Sequence, residues 1–143
     1  MGVEMKTIVV ATDGSAAADK AVGVAAARAN QEQARLVIVN VSEPFCPLGV
    51  TELDVSVFDS MMKKESTAIL DAALAQAQAT GANASTVHEI GAPAEGILAI
   101  AQREGANEIF VASHGRHGLA RAAMGSTSSR VVEWAPCTVT VVK

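Results

Sequence analysis

The chain has 143 residues, half of them hydrophobic, with a formal net charge of −4 and a pI near 5.3. That length suits one domain with one sizeable core, and no apolar run approaches the ~18 residues of a membrane span. With an acidic balance, one Trp, no Tyr and three Phe, the chain offers neither a basic face nor an aromatic stacking platform, so nucleic acid is not an expected partner.

The opening residues Met1-Gly2-Val3-Glu4-Met5-Lys6 lack the basic region and apolar core of a secretory signal, which makes the cytoplasm the expected compartment. Lys6 stands where a myristoylation motif needs Ser or Thr, so Gly2 is not read as an acylation site. Cys46 and Cys137 have neither redox nor metal spacing and are expected as reduced thiols, Cys137 buried where the last strand starts.

Strand and helix patterns then alternate along the chain. Thr7–Ala11 is an unbroken β-branched and aliphatic run, and Ser15 can cap the helix that follows, whose stripe is Ala18, Val22, Ala25 and Ala29. Leu36–Val39 is a second such run. From Ser42 to about Phe58 no period is visible and Pro44 and Pro47 interrupt, so a long loop is expected there. A second helix is predicted from about Ser60 to Thr80, with Met62, Ile69, Leu70, Ala73 and Leu74 inward and Gly81 as its stop. Ala84–Ile90 alternates more and suits an edge strand, with His88 read as a surface histidine. Pro93 opens a third helix carrying Ala94, Ile97, Leu98 and Ala101, which Gly105 ends. Ile109–Ala112 is the fourth strand. A fourth helix runs from Ser126 until Pro136 closes it, and Val139–Val142 is the last strand. Unbroken apolar runs mean strands covered on both faces, so the order β-α-β-α-β-α-β-α-β argues for an open, doubly wound α/β sheet, Rossmann-like in its layers.

The segment between the fourth strand and the fourth helix carries the chemistry. Ala112-Ser113-His114-Gly115 is followed by nine residues and then Gly125-Ser126. A glycine-bearing loop between a strand end and a helix start presents free backbone N–H groups and the positive end of a helix dipole, which together suit phosphate. No acid lies between Glu108 and Glu133, whereas Arg116, Arg121 and Arg130 do. A +3 segment in an acidic chain points to an anionic ligand; a long loop with solvated arginines is the plain alternative. In an open sheet the ligand crevice lies where neighbouring strands send their connections to opposite faces. If the first and fourth strands are neighbours, Asp13 faces the glycine loop across that crevice. There it would bind ribose hydroxyls, hold a divalent cation, or cap the first helix.

Other assignments lack their residues. There is no GxxxxGK[ST] for a P-loop and no GxGxxG after the first strand for a dinucleotide fold. A receiver domain would need a further Asp after the third strand and a Lys after the fifth. His114 and His117 lack a third ligand in view, and neither cysteine has a recognisable His partner.

Read together, these residues resemble the universal stress protein family. The resemblance rests on Ile8-Val9-Val10-Ala11-Thr12-Asp13-Gly14-Ser15, Gly91-Ala92-Pro93-Ala94-Glu95 and Ala135-Pro136-Cys137, and above all on the family's nucleotide signature G-x2-G-x9-G-[ST]. Its second and third glycines fall on Gly115 and Gly125 and its hydroxyl on Ser126. The resemblance implies a five-stranded parallel sheet of order 3-2-1-4-5, a dimer, and ATP in some branches but not in others. By position it puts Ala11, Thr12 and Asp13 near the adenosine and Val41 beside the adenine. It wraps Ala112, Ser113, His114, Gly115, Arg116, His117 and Gly118 around ribose and phosphates. Gly125, Ser126, Thr127 and Ser128 then supply donors at the helix start, and Asp13 a carboxylate for the Mg of bound ATP.

Three positions depart from the family pattern. Ala112 replaces the signature's first glycine, where a methyl at a tight approach costs about 1–3 kcal/mol. Ala92 stands where Asp is common and loses a helix cap worth ~1 kcal/mol. Ser129 replaces a frequent Glu and leaves the helix start friendlier to phosphate. The expected function is a cytoplasmic ATP-binding module in stress response with a regulatory protein partner. The alternatives are a nucleotide-free member acting through dimerisation and protein contacts, and a slow ATPase. The expected assembly is a homodimer through the unpartnered last strand, residues 137–142.

Overall fold

The computed structural model describes residues 4–44, 49, 51–115 and 124–143. Five strands, β1 (Thr7–Ala11), β2 (Arg35–Ser42), β3 (Asn83–Ile90), β4 (Glu108–Ala112) and β5 (Thr138–Val142), alternate with four helices. These are α1 (Ala16–Glu32), α2 (Glu52–Ala79), α3 (Pro93–Arg103) and α4 (Ser126–Trp134). All four strand pairings are parallel and the order is β3-β2-β1-β4-β5.

The apolar runs are continuous because alternate side chains serve two cores. Ile8, Val10, Leu36, Ile38 and Phe110 pack beneath α1 and α2, against Ala21, Val22, Ala25, Leu70 and Ala73. Val9, Val37, Val39, Ile109 and Val111 face α3 and α4, against Ala94, Ile97, Ile100, Ala101 and Val131. Alanine on the inner face of α1 lets that helix lie close to the sheet. Its N-terminus is capped as expected, with Ser15 Oγ accepting from the Ala18 N–H at 3.1 Å.

The connection after β2 departs from expectation. The second helix begins at Glu52, about two turns ahead of the predicted start. Its described first bonds include the Val55 N–H to the Thr51 carbonyl at 3.0 Å. Val57 and Met61 are exposed, whereas Ser66, Leu70, Ala73 and Ala77 are buried. Among the described residues of the early turns Val55, Phe58 and Met62 are half-buried and the others exposed, a stripe too sparse for periodicity to reveal. Cys46 lies outside the described residues. Cys137 is half-buried just before β5, and burial followed by the Glu108 charge raises its thiol pKa.

Candidate functional site

β1 and β4 are neighbours, yet α1 leaves on one face of the sheet and α4 on the other. Their carboxyl ends therefore part around a cleft of about 540 Å³, within the range of small-molecule sites. Of the residues singled out from sequence, Ala11, Thr12, Asp13, Val41, Ala112, His114, Gly115, Gly125, Ser126, Thr127 and Ser128 all line it. Arg116, His117 and Gly118 lie outside the described residues, as does Arg121.

Asp13 is held from its own chain. Its Oδ1 accepts the Ser15 N–H at 2.9 Å, while the helix cap is Ser15 rather than Asp13. Across the cleft, a Cβ on Gly115 would sit 2.2 Å from Asp13 Oδ2. Only a residue without a side chain can bring β4's exit this close to that carboxylate.

Gly125 is a different case. Its backbone is extended, at φ −63° and ψ 161°, and a Cβ there would meet its nearest neighbours at 3.7 and 3.8 Å, ordinary contact. The described residues do not require a glycine at that point, and Gly125 lines the cleft. Gly125 is the N-cap of α4 and supplies no side-chain cap. The first turn of α4, Ser126 to Ser128, therefore lines the cleft with no side-chain cap from its own N-cap residue.

The exit of β4 and the start of α4 are tied to their surroundings and to each other. Ser113 is buried and does not line the cleft. Its N–H donates to the Val142 carbonyl at 2.9 Å, and its carbonyl accepts the Gly125 N–H at 2.7 Å. Its hydroxyl pairs with His114 Nδ1 at 2.9 Å. Ser128 Oγ donates to the Ala112 carbonyl, closing the start of α4 onto the end of β4.

Three features differ from the sequence reading. Arg130 does not join the cleft's charge, because it pairs with Glu95 of α3 at 3.2 Å and lies over the Trp134 ring at 5.6 Å. His88 is half-buried and bonds Ser42 Oγ at 2.9 Å, so it is not a bare surface histidine. Asn40, Ser42 and Ser66 line the cleft without having been anticipated. Asn40 sits 6% exposed in the strand wall, with Nδ2 donating to the Thr12 carbonyl at 2.8 Å and Oδ1 accepting from Ser66 Oγ at 2.7 Å. A polar residue inside an apolar strand was the available signal. On the opposite wall, Gly96 lets α3 rest on Val41, whose two methyl carbons would lie 2.9 Å from an added Cβ.

Among the described residues no group of three or more His, Cys, Asp or Glu could hold a metal alone. Asp13 brings one carboxylate to the cleft, the kind of single protein ligand that Mg²⁺ would share with a phosphate. No helix among the described residues is long and apolar enough to cross a membrane.

The sequence matches the Universal stress protein family over residues 4–143. Universal stress protein YxiE of Bacillus subtilis is 32% identical, the match covering 95% of this chain and 97% of that protein. The structure of universal stress protein UspA from Lactobacillus plantarum superposes with a TM-score of 0.85 at 27% identity, over 99% of this chain and 100% of that one. A universal stress protein solved in complex with cAMP gives a TM-score of 0.75 at 26% identity, covering 96% of this chain and 97% of that one.

Proposed function

The chain belongs to the universal stress protein family, and from that premise we propose that it is a cytoplasmic ATP-binding module acting as a nucleotide-dependent regulator in stress response. The observation that carries this reading is the first turn of α4. Its residues Ser126 to Ser128, which receive no side-chain cap from Gly125, line a cleft that Asp13 also lines. Phosphate answers the positive end of a helix, and a ribose or an Mg²⁺ answers a carboxylate. A related chain's complex with cAMP supports a nucleotide as the ligand class. In this reading Ser126, Thr127 and Ser128 hold phosphates, Gly115 and Asp13 flank the sugar, and Val41 packs on the base. When bound, Mg²⁺ would screen phosphate charge beside Asp13.

Saturating Mg·ATP is expected to raise the melting temperature by roughly 5–10 °C. A ligand at 100 times its Kd contributes ~2.7 kcal/mol, and each kcal/mol is worth a few degrees at this size. NAD is expected to do much less. A flat melting curve up to millimolar Mg·ATP, with no nucleotide carried through purification, overturns the proposal. That result favours the nucleotide-free alternative, to which the methyl of Ala112 at the β4 exit gives its support.

The same proposal includes a homodimer through β5. Ser113 N–H bonds the Val142 carbonyl, so Val142 and Thr140 turn their backbone groups toward β4. By alternation Val139 and Val141 turn theirs to the open edge of the sheet. A two-fold pairing of that edge with its copy would occupy both sets at once. Light scattering is expected to give twice the chain mass. Val141→Pro removes an outward N–H without touching the β4 ladder and should give a monomer; a wild type of single-chain mass overturns the dimer.

A further inference from the structure

A chain of hydrogen bonds runs from the edge strand into the wall of the cleft. His88 Nε2 lies 2.9 Å from Ser42 Oγ, and Ser42 Oγ lies 3.4 Å from Asn40 Oδ1. Ser66 Oγ donates to that same Oδ1 at 2.7 Å, and Asn40 Nδ2 donates to the Thr12 carbonyl at 2.8 Å. Asn40 and His88 are register partners across β2 and β3. Asn40, Ser42 and Ser66 line the cleft, whereas His88 stands one residue behind it.

Counting hydrogens fixes what this chain can do. The bond from Asn40 Nδ2 to Thr12 sets the amide's orientation, and Ser66 gives Oδ1 its short partner. Ser42 has a single hydrogen to place. With His88 neutral and Nε2 bare, the imidazole is the nearer acceptor and takes that hydrogen. Ser42 then shows the cleft only lone pairs. Once His88 is protonated both ring nitrogens are donors, and Nε2–H points at Ser42 Oγ. The Ser42 hydrogen must then turn away, to the long contact with Asn40 Oδ1 or to a group in the cleft.

We propose that His88 sets the hydrogen-bonding polarity of Ser42 toward the ligand: an acceptor while the ring is neutral, a donor once it is protonated. This rests on the nucleotide reading of the cleft and adds a regulation that reading does not contain. Adenine offers three bare ring nitrogens against one amino group, so a donor at Ser42 is the easier match. A positive ring behind the wall also favours an anionic nucleotide. Among the described residues the charged groups on the packed elements are Arg35 at the start of β2 and Glu43 just after it, Asp59, Lys63, Lys64, Glu65 and Asp71 on α2, and the neighbouring Glu89, which is paired with Arg103 at 3.1 Å. His88 thus acts through Ser42 as a positioning residue.

The test uses the full chain labelled with ¹⁵N and titrated from about pH 8 to about pH 5.5, spanning the range in which histidines charge. The His88 ring is expected to show a bare Nε2 when neutral. The Asn40 side-chain amide signal should move with the ring's titration, and should stand still in His88→Gln. A protonated Nε2 in the neutral ring, or an Asn40 signal that ignores His88, overturns the proposal. Calorimetry with ATP at both ends of the range then reads its consequence. Wild-type affinity relative to His88→Gln should improve by roughly three- to tenfold on acidification, the worth of one hydrogen bond. The ratio cancels whatever pH dependence the two proteins share, that of the ligand's phosphates included. Ser42→Ala should abolish the gain. A ratio that stays level or falls, or a gain that survives in Ser42→Ala, overturns the proposal. If wild type binds no ATP at either pH, the nucleotide reading is what fails, and the labelled titration alone decides the exchange between Ser42 and His88.

Discussion

The two rims of one sheet are built on opposite plans. At the rim where the strands begin, polar groups find side-chain partners. Glu108 is 7% exposed and takes both Arg28, at 2.9 and 3.2 Å, and the Thr140 hydroxyl. Arg35 reaches Thr7 at 3.3 Å and Glu104 at 3.1 Å, while Asn107 Oδ1 accepts the Thr7 N–H at 2.9 Å. At the rim where the strands end, α4 starts on a glycine with no side-chain cap, and Gly115 gives Asp13 its room. One rim closes its polar groups on each other and so fastens α1, β4 and β5 together. The other holds donors and a carboxylate apart across a cleft. Stability and binding are therefore expected to respond to different residues.

The sharpest break between the rims is Gly125→Val. The protein has room at that Cβ, so the fold should melt within a few degrees of wild type. If the side chain enters the phosphate space, ATP affinity should fall by roughly ten- to hundredfold, the scale of a lost charge-assisted contact. Calorimetry of the folded variant checks it, and unchanged affinity would put the phosphates elsewhere.

Glu108→Ala is expected to do the reverse. It leaves the partly exposed Arg28 and the Thr140 hydroxyl without their acceptor, costing about 2 kcal/mol once solvent screening of Arg28 is allowed for. Urea unfolding reads the cost, and ATP affinity should stay within about twofold. A large affinity loss would join the two rims energetically and end the division.

The smallest effect tests the plan by addition. Ala92 is the N-cap of α3, with extended backbone (φ −72°, ψ 131°) and no side-chain cap bond. Ala92→Asp should stabilise the fold by ~1 kcal/mol, read as a higher urea midpoint with an unchanged slope.

The same two plans explain what the sequence made legible. The strands under two helical layers announced themselves, because Ile8–Val10 and Leu36–Val39 must be apolar on both faces. Ser15 and Pro93 marked their helix starts through local chemistry. The first turns of α2 did not, since half-buried Val55, Phe58 and Met62 make a sparse stripe that exposed Val57 and Met61 obscure. At the cleft, Asp13, Gly115 and Gly125 stood out because loop residues at strand ends are read against few alternatives. Asn40 was hidden by its apolar neighbours, and its meaning depends on Ser66, which is distant in sequence and meets it only through the packing of α2 on β2. Arg130 misled for the same reason. Its partner Glu95 lies on another helix, so a local charge count assigned it to the wrong side of α4.

Ser113 hangs from β5 by its backbone, and β5 is also the strand with an open outer edge. The exit of β4 beside the cleft and the free side of the sheet are thus one strand apart, tied to its two sides. Thermodynamic reciprocity then sets a rule for this molecule. Whatever factor the proposed pairing at that edge would apply to the hold on a ligand, the ligand would have to apply to the pairing, so in that dimer the concentrations of chain and of ligand would be interchangeable controls on one equilibrium.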